Sequence, residues 1–285
     1  MAQNSVSERV TMADRAELIS AQGRGWLSGF GNILGKEVGD WFATRRWLVQ
    51  SAIWLIILNG NLAVVLFVVP LLNQNVALAG NPAPDSAAEL YLAGLSLFFN
   101  TLALLGSIGI VVLTQDEIIQ EKQAGTAAWV LTKPVSRASF ILSKLASNIV
   151  GALVFIIVVP ALIAYFEILV ASGRAVPLIP YVEALAVILL TLTFYITLSL
   201  MLGTFFEQRG PLLAGTFGVM IGGLIVSQFV PKLSYILPLS MHQIALAILQ
   251  GQPLSPAMGY ELITAGLFSA LFTVAALWRF GDEEF

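Results

Sequence analysis

The chain has 285 residues, of which 58% are hydrophobic and only 11% charged, and its mean hydropathy is +0.86. Soluble domains are about 45–50% apolar and about 25% charged, so this composition excludes an ordinary water-soluble domain and predicts a protein that lies in lipid. The small net charge of −3 argues against a nucleic-acid partner, and the absence of cysteine excludes disulfides, thiol catalysis and thiolate metal sites.

The first 46 residues divide into two predicted segments. Residues 1–25 form a polar leader of mixed charge without the apolar core of a signal peptide, so we expect it to stay uncleaved in the cytoplasm. Residues 26–46 repeat large apolar side chains at spacings of three and four, which is typical of an amphipathic helix in the membrane interface. A simple lead-in to the first span is the alternative.

Six apolar runs follow, each close to the roughly 20 residues with which a helix crosses a bilayer core of about 30 Å. They cover residues 47–72, 92–114, 145–170, 184–206, 212–230 and 262–278. The runs are continuously apolar and do not alternate, so they predict helices and not the strands of a barrel. The expected fold is an all-α membrane protein, with a six-span domain over residues 47–280 and a short cytoplasmic tail at 281–285.

The lysines and arginines predict the orientation of these spans. Of the 14, only Arg174 and Lys232 fall on one side of the predicted bundle, and the other 12 fall on the opposite side. Basic residues are enriched on the cytoplasmic side of membrane proteins. We therefore expect a multi-pass protein of the inner (plasma) membrane with both termini in the cytoplasm.

The segment 231–261, between the last two spans, carries four prolines and is too polar to cross the bilayer. Within it, Leu239–Leu249 is apolar and compatible with a helix. We predict a re-entrant or interfacial helix on the outer face.

The loop after the second span is the most charged stretch outside the leader. It contains a short apolar helix candidate, Ala127–Leu131, which should end before Pro134 because proline disfavours helical geometry in the preceding residue. Ser136 is suited to cap the helix that follows. A short helix at the cytoplasmic ends of two spans is a lever on which a motor protein can push, and an ordinary connecting loop is the alternative.

This loop resembles a known family. Glu121-Lys-Gln-Ala-Gly125-Thr126, then Leu131-Thr-Lys-Pro134-Val-Ser-Arg137, then Lys144 are similar to the E-x-x-x-G-T, L-x-x-P-x-S-R and lysine pattern of ABC-2 type permeases. The six-span layout agrees more loosely over about residues 30–280. The resemblance implies that the loop is a coupling helix seated in a groove of an ATP-binding-cassette subunit. It implies coupling roles for Glu121, Gly125, Thr126, Pro134, Ser136 and Arg137, and a smaller contact through Glu207 and Arg209.

The sequence contains no phosphate-binding loop of the G-x-x-x-x-G-K-[ST] type, and the nearest string, residues 31–36, has the wrong spacing. We therefore expect ATP and magnesium to be bound by a partner and no cofactor by this chain. The expected partners are two ATPase subunits, a second copy or paralogue of the permease, and membrane lipids. No catalytic set is recognisable, and the lone His242 does not predict a metal site.

Polar side chains inside the predicted spans are the candidates for lining a transport pathway. They are Asn59, Asn61, Asn100, Thr193 and Tyr195. Packing between helices, or hydrogen bonds of the hydroxyls to their own helix, are the alternative roles.

The function expected from the resemblance is a permease subunit that exports a hydrophobic or amphipathic substrate. Two alternatives stay open. An ion-gradient-driven transporter would need a mid-membrane carboxylate or an inverted repeat, neither of which is evident in the sequence. A non-transporting membrane scaffold would show no ATP-dependent flux.

Overall fold

The computed structural model describes residues 25–43, 45–72, 87–124, 135–230, 232 and 236–282. This part of the chain is helical and contains no strand. The predicted leader, apart from Gly25, and residues 283–285 of the predicted tail lie outside it. The helices are α1 (Phe30–Ala43), α2 (Trp47–Leu72), α3 (Ala87–Gln123), α4 (Arg137–Ser172), α5 (Leu178–Phe205), α6 (Arg209–Ser227), α7 (Met241–Leu249) and α8 (Pro256–Gly281).

Six of these described helices, α2 to α6 and α8, are long and apolar enough to cross a membrane. The prediction of an all-α protein with about six spans is confirmed, and the molecule is a multi-pass membrane protein. α3 consists of Ala87–Thr114 and, after a two-residue turn, Glu117–Gln123.

Several helices begin earlier than their apolar runs, because polar residues form the first turns. Ser136 precedes α4 and accepts a hydrogen bond from the Ser139 N–H at 3.0 Å. Ser255 precedes α8 and accepts from the Met258 N–H at 3.3 Å. Each serine satisfies a backbone donor that the first turn of the helix leaves free.

α5 is the central helix of the bundle. It packs against α3, α7 and α8, and every residue from Phe194 to Leu200 is buried. A helix that is apolar on all sides belongs inside a protein, and α5 fits that rule. α2 and α6 instead leave large apolar side chains exposed, among them Ile56 and Ile225, as expected of helices that face lipid.

Three of the spanning helices contain π-helical turns. The one in α4, Ala152–Val158, lies directly before Pro160. Proline has no N–H and its ring collides with the carbonyl of the preceding turn, so the regular ladder is interrupted there.

Two short helices complete the fold. α1 packs on α4, where the Trp41 ring lies over Gly151 so closely that a Cβ there would come within 2.7 Å. α7, which falls inside the predicted Leu239–Leu249 helix, packs against α3 and α5, and its Met241 and Ile244 are buried. α7 is therefore inserted among the long helices.

Candidate functional site

Lys144 of α4 is the centre of a buried ionic cluster. Its side chain is 2% exposed, and its Nζ lies 2.7 Å from Glu121 Oε1 of α3 and 3.3 Å from Glu37 Oε1 of α1. One turn later, the Asn148 amide donates to Glu117 Oε2 at 2.6 Å. One lysine thus joins three helices, and we call this group the Lys144 cluster.

The Lys144 cluster borders an acidic cavity of about 340 Å³. Five carboxylates and two lysines line it: Glu37, Asp40, Asp116, Glu117 and Glu121, with Lys36 and Lys144. Within the described residues, no group of three carboxylate or histidine side chains is placed to hold a metal ion.

The end of α3 is attached to the end of α5 and to the turn that follows α5. Lys122 Nζ donates to the Thr204 carbonyl at 3.0 Å, and Gln123 Nε2 donates to the Glu207 carbonyl at 2.8 Å. Arg209, whose side chain is half exposed, forms an ion pair with Asp116 at the edge of this contact. Glu207 therefore contributes its backbone and Arg209 its charge.

The chain that enters α4 is attached to the turn before α1 and to the end of α8. The Ser136 hydroxyl donates to the Trp26 carbonyl just before α1. The Arg137 guanidinium donates to the carbonyls of Phe280 and Gly281 at the end of α8. The start of α4 is therefore held by α1 on one side and by α8 on the other.

Between these two attachments lies the segment 125–134, which is outside the described residues. Gly125, Thr126 and Pro134 belong to it, as does the predicted short helix Ala127–Leu131. Of the six residues for which the loop motif implies coupling roles, Glu121, Ser136 and Arg137 are described. Glu121 and Arg137 contact helices other than their own, and Ser136 contacts the turn before α1.

A second cavity, of about 170 Å³, lies between α3, α5, α6 and the chain leading into α7. Two of the predicted pathway residues, Asn100 and Tyr195, line it. The other lining residues are Ala103, Leu104, Ser107, Thr191, Met220, Leu224, Pro238, Leu239, Met241 and His242. We call it the neutral cavity, because no Asp, Glu, Lys or Arg of the described chain is among its lining residues.

The other three predicted pathway residues do not line the neutral cavity. Asn59 is buried, and its Nδ2 donates to the Pro160 carbonyl at 3.0 Å and to Glu167 Oε2 at 3.2 Å. Asn61 is exposed. The Thr193 hydroxyl donates to the carbonyl of Leu189 on its own helix at 2.8 Å. The contacts of Asn59 and Thr193 are those of packing and of bonding within a helix.

Glu261 of α8 is a further site residue that the sequence pattern did not single out. It is 2% exposed, its Oε1 accepts the Ser240 N–H at 2.7 Å, and its Oε2 accepts the Ser240 hydroxyl at 2.6 Å. Ser240 precedes α7, where a carboxylate is favoured by the helix dipole. The available signal was a carboxylate one residue before a predicted span, a costly position in lipid.

Most of the chain matches one known protein family. Residues 76–282 match a family model described as a protein of unknown function, DUF2705. The chain belongs to the DUF2705 family. The matched region runs from before α3 to the end of α8, so it includes Lys144, Glu261 and the whole neutral cavity. A search of curated proteins found no match.

In this DUF2705 protein two groups of polar side chains line cavities. The Lys144 cluster adjoins the loop after α3, and the neutral cavity adjoins α7. Glu37 and α1 complete the Lys144 cluster from outside the matched region.

Proposed function

We propose that this DUF2705 protein is the membrane-spanning permease subunit of an ATP-binding-cassette transporter of the ABC-2 type. The observation that carries the proposal is the attachment of both ends of segment 125–134 to the rest of the bundle. Glu121 connects its beginning to α4 and α1, and Arg137 connects its end to α8. The sequence of this same segment resembles the coupling loop of such permeases.

Attachment matters because a loop transmits force only if its ends are held. Lys144 binds carboxylates from α1 and α3, so α1, α3 and α4 are joined at one point. Displacement of the loop by a partner would move these helices together. In the proposed cycle, two ATPase subunits bind ATP and magnesium, close on each other and shift the loops of two permease chains, which are copies or paralogues.

The distribution of charge supports the proposed orientation. Lys122, Arg137 and Arg209 lie at the end of the bundle that holds the Lys144 cluster, where they bond to α5, to α8 and to Asp116 respectively. Arg174 lies at the other end of α4. Under the positive-inside rule the end with the Lys144 cluster is cytoplasmic and both termini are on the cytoplasmic side. The membrane proposed for this permease is the plasma membrane.

The neutral cavity supports a hydrophobic or amphipathic cargo. Ligand sites are mostly apolar with a few polar groups that orient the ligand, and this cavity has that composition. It lies between spanning helices, so a cargo can reach it from the lipid. Export is the direction that the ABC-2 resemblance favours.

The test is co-expression with an ATP-binding-cassette ATPase subunit from the same genome. We expect the ATPase to co-purify with the wild-type chain and with Arg174→Glu, a control that reverses an exposed cation at the opposite end. The double variant Gly125→Trp with Arg137→Glu should lose the ATPase while it still elutes as a single species. If the double variant still retained the ATPase and still stimulated its ATP hydrolysis, the coupling assignment would be refuted.

An ion-gradient-driven transporter is the second candidate, and Glu261 is the observation that favours it. Buried carboxylates in spanning helices serve as proton relays in such transporters. Both oxygens of Glu261 are occupied by Ser240, however, which is the geometry of a structural cap. Flux into vesicles that follows a proton gradient without ATP would favour this candidate over the permease.

A further inference from the structure

Ser107 in the wall of the neutral cavity has no hydrogen-bond partner among the described residues. Hydroxyls in the spans usually bond to the carbonyl one turn earlier, as Thr191 and Ser269 do at 3.1 and 2.7 Å. Ser107 is 3% exposed, and its hydroxyl bonds to none of the described residues. A buried hydroxyl without a partner is unfavourable, so Ser107 is available to a polar group inside the cavity.

Besides Thr191, whose hydroxyl bonds to its own helix, three other polar side chains line the same cavity: Asn100, Tyr195 and His242. None of them hydrogen-bonds to another residue in the described part of the chain. Asn100 lies seven residues before Ser107, which places both on one face of α3. Together the four side chains offer donors and acceptors to one small volume.

The lining carries no full charge. Burial lowers the pKa of His242, so at neutral pH the imidazole is uncharged and presents one donor and one acceptor. An anionic head group entering the cavity would lose its hydration without meeting a cation among the lining side chains, which is strongly unfavourable. The chemistry of the lining therefore selects an uncharged polar group. A hydroxyl can accept hydrogen bonds from the donors of the lining and donate to its acceptors.

The size and the rim of the cavity restrict the ligand further. A volume of about 170 Å³ holds about five or six water-sized groups, which is the size of a glycerol head. Leu104 of α3 and Leu224 of α6 line the cavity and are exposed. An apolar chain attached to the head can leave past them into the lipid.

We infer that the neutral cavity binds the uncharged, hydroxyl-bearing head of an amphipathic molecule, with its acyl chains directed past Leu104 and Leu224. Ser107, Asn100, Tyr195 and His242 hydrogen-bond the head. The assignment of this ligand as cargo rests on the proposed permease function. The binding itself requires no ATPase.

The test compares dioctanoylglycerol with dioctanoyl phosphatidic acid, which has the same chains and a charged head. The purified full-length chain is titrated with each in detergent, and bound lipid is counted by native mass spectrometry. We expect dioctanoylglycerol to bind at least about tenfold more tightly. Ser107→Val and Tyr195→Phe should each weaken it by about two- to tenfold, the effect of losing one hydrogen bond.

Ser199→Val is the matched control. Ser199 is also buried and has no hydrogen-bond partner within the described part of the chain, but it lies outside the cavity lining, so its variant should bind like the wild type. Equal binding of phosphatidic acid, or wild-type binding by both cavity variants, would overturn the inference. If Ser107→Val does not fold, Tyr195→Phe, which keeps the ring, and Asn100→Leu decide in its place.

The two proposals fail separately. Co-purification of the ATPase without binding of dioctanoylglycerol would leave the permease function standing and refute the ligand. Binding without any ATPase partner would refute the permease function and keep the ligand site.

Discussion

The two ends of the bundle stabilise buried polar side chains in different ways. In the Lys144 cluster a buried cation is shared by carboxylates from two other helices. At the α7 end, Glu261 has no cation beside it among the described residues and accepts hydrogen bonds from the backbone and hydroxyl of Ser240. The neutral cavity next to it is lined only by uncharged groups, as far as the chain is described.

The difference teaches what each arrangement can do. Charges that pair across helices join α1, α3 and α4, and this suits an end of the molecule that transmits movement. The hydrogen bonds of Glu261 fix only the segment around Ser240, and such local fixation suits the wall of a cavity. The two arrangements should therefore respond differently to mutation. The losses of stability and the changes in hydrogen exchange described below test this difference.

The largest effect is expected for Lys144→Met. Removal of one partner of a buried ion pair leaves the other charges uncompensated, which costs about 3–5 kcal/mol. Because Glu37 and Glu121 are partly exposed, we expect the free energy of unfolding to fall by about 3 kcal/mol. Reversible unfolding of the purified protein in mixed detergent gives the value. Lys36→Met, at an exposed lysine of the same cavity, is the control and should change stability by less than about 0.5 kcal/mol. Equal losses in the two variants would show that the Lys144 cluster does not stabilise the fold.

A smaller and local effect is expected for Glu261→Gln. The neutral amide weakens the charge-assisted hydrogen bonds from Ser240, at a cost of about 2 kcal/mol. Hydrogen exchange of the amides at residues 239–243 should accelerate while exchange at residues 117–123 stays unchanged. Glu183→Gln, at an exposed carboxylate of α5, controls for loss of charge. Unchanged exchange at 239–243 would argue against Glu261 as the residue that holds α7.

The smallest effect distinguishes two helix caps, one at each end of the bundle. Ser136→Ala and Ser255→Ala should each cost about 1 kcal/mol, because each serine accepts a backbone N–H of its helix. Ser136 should cost more, since its hydroxyl also donates to the Trp26 carbonyl. The difference between the two unfolding free energies is the measurement. A larger loss for Ser255→Ala would contradict the attachment of α4 to the start of α1.

Much of the fold follows from local patterns in the chain. Crossing lipid demands about 20 apolar residues in succession, so the spans could be recognised from composition alone. Ser136 was predictable as a cap because it precedes a helix that a proline separates from the loop before it. Most predicted spans began later than their helices, because hydropathy does not register first turns that carry polar residues or proline, such as those with Arg137 and Pro256.

The sites were less predictable, since they depend on residues distant in sequence. Glu121 and Lys144 were part of one recognisable motif, but their partner Glu37 lies 107 residues from Lys144. Asn100 and Tyr195 were both candidates without any indication that they share a cavity. Asn59 had the same sequence signal, yet its amide bonds to Pro160 and Glu167.

Hydropathy and the placement of cations were thus sufficient to predict the class of the molecule, the number of its spans and a model of their orientation, because the transfer of each segment into lipid is a local free energy. Which carboxylates meet Lys144, which hydroxyl is left without a partner and what holds α7 depended on how the helices pack. A buried hydrogen bond or ion pair is a property of two positions at once, and only the tertiary structure brings such positions together.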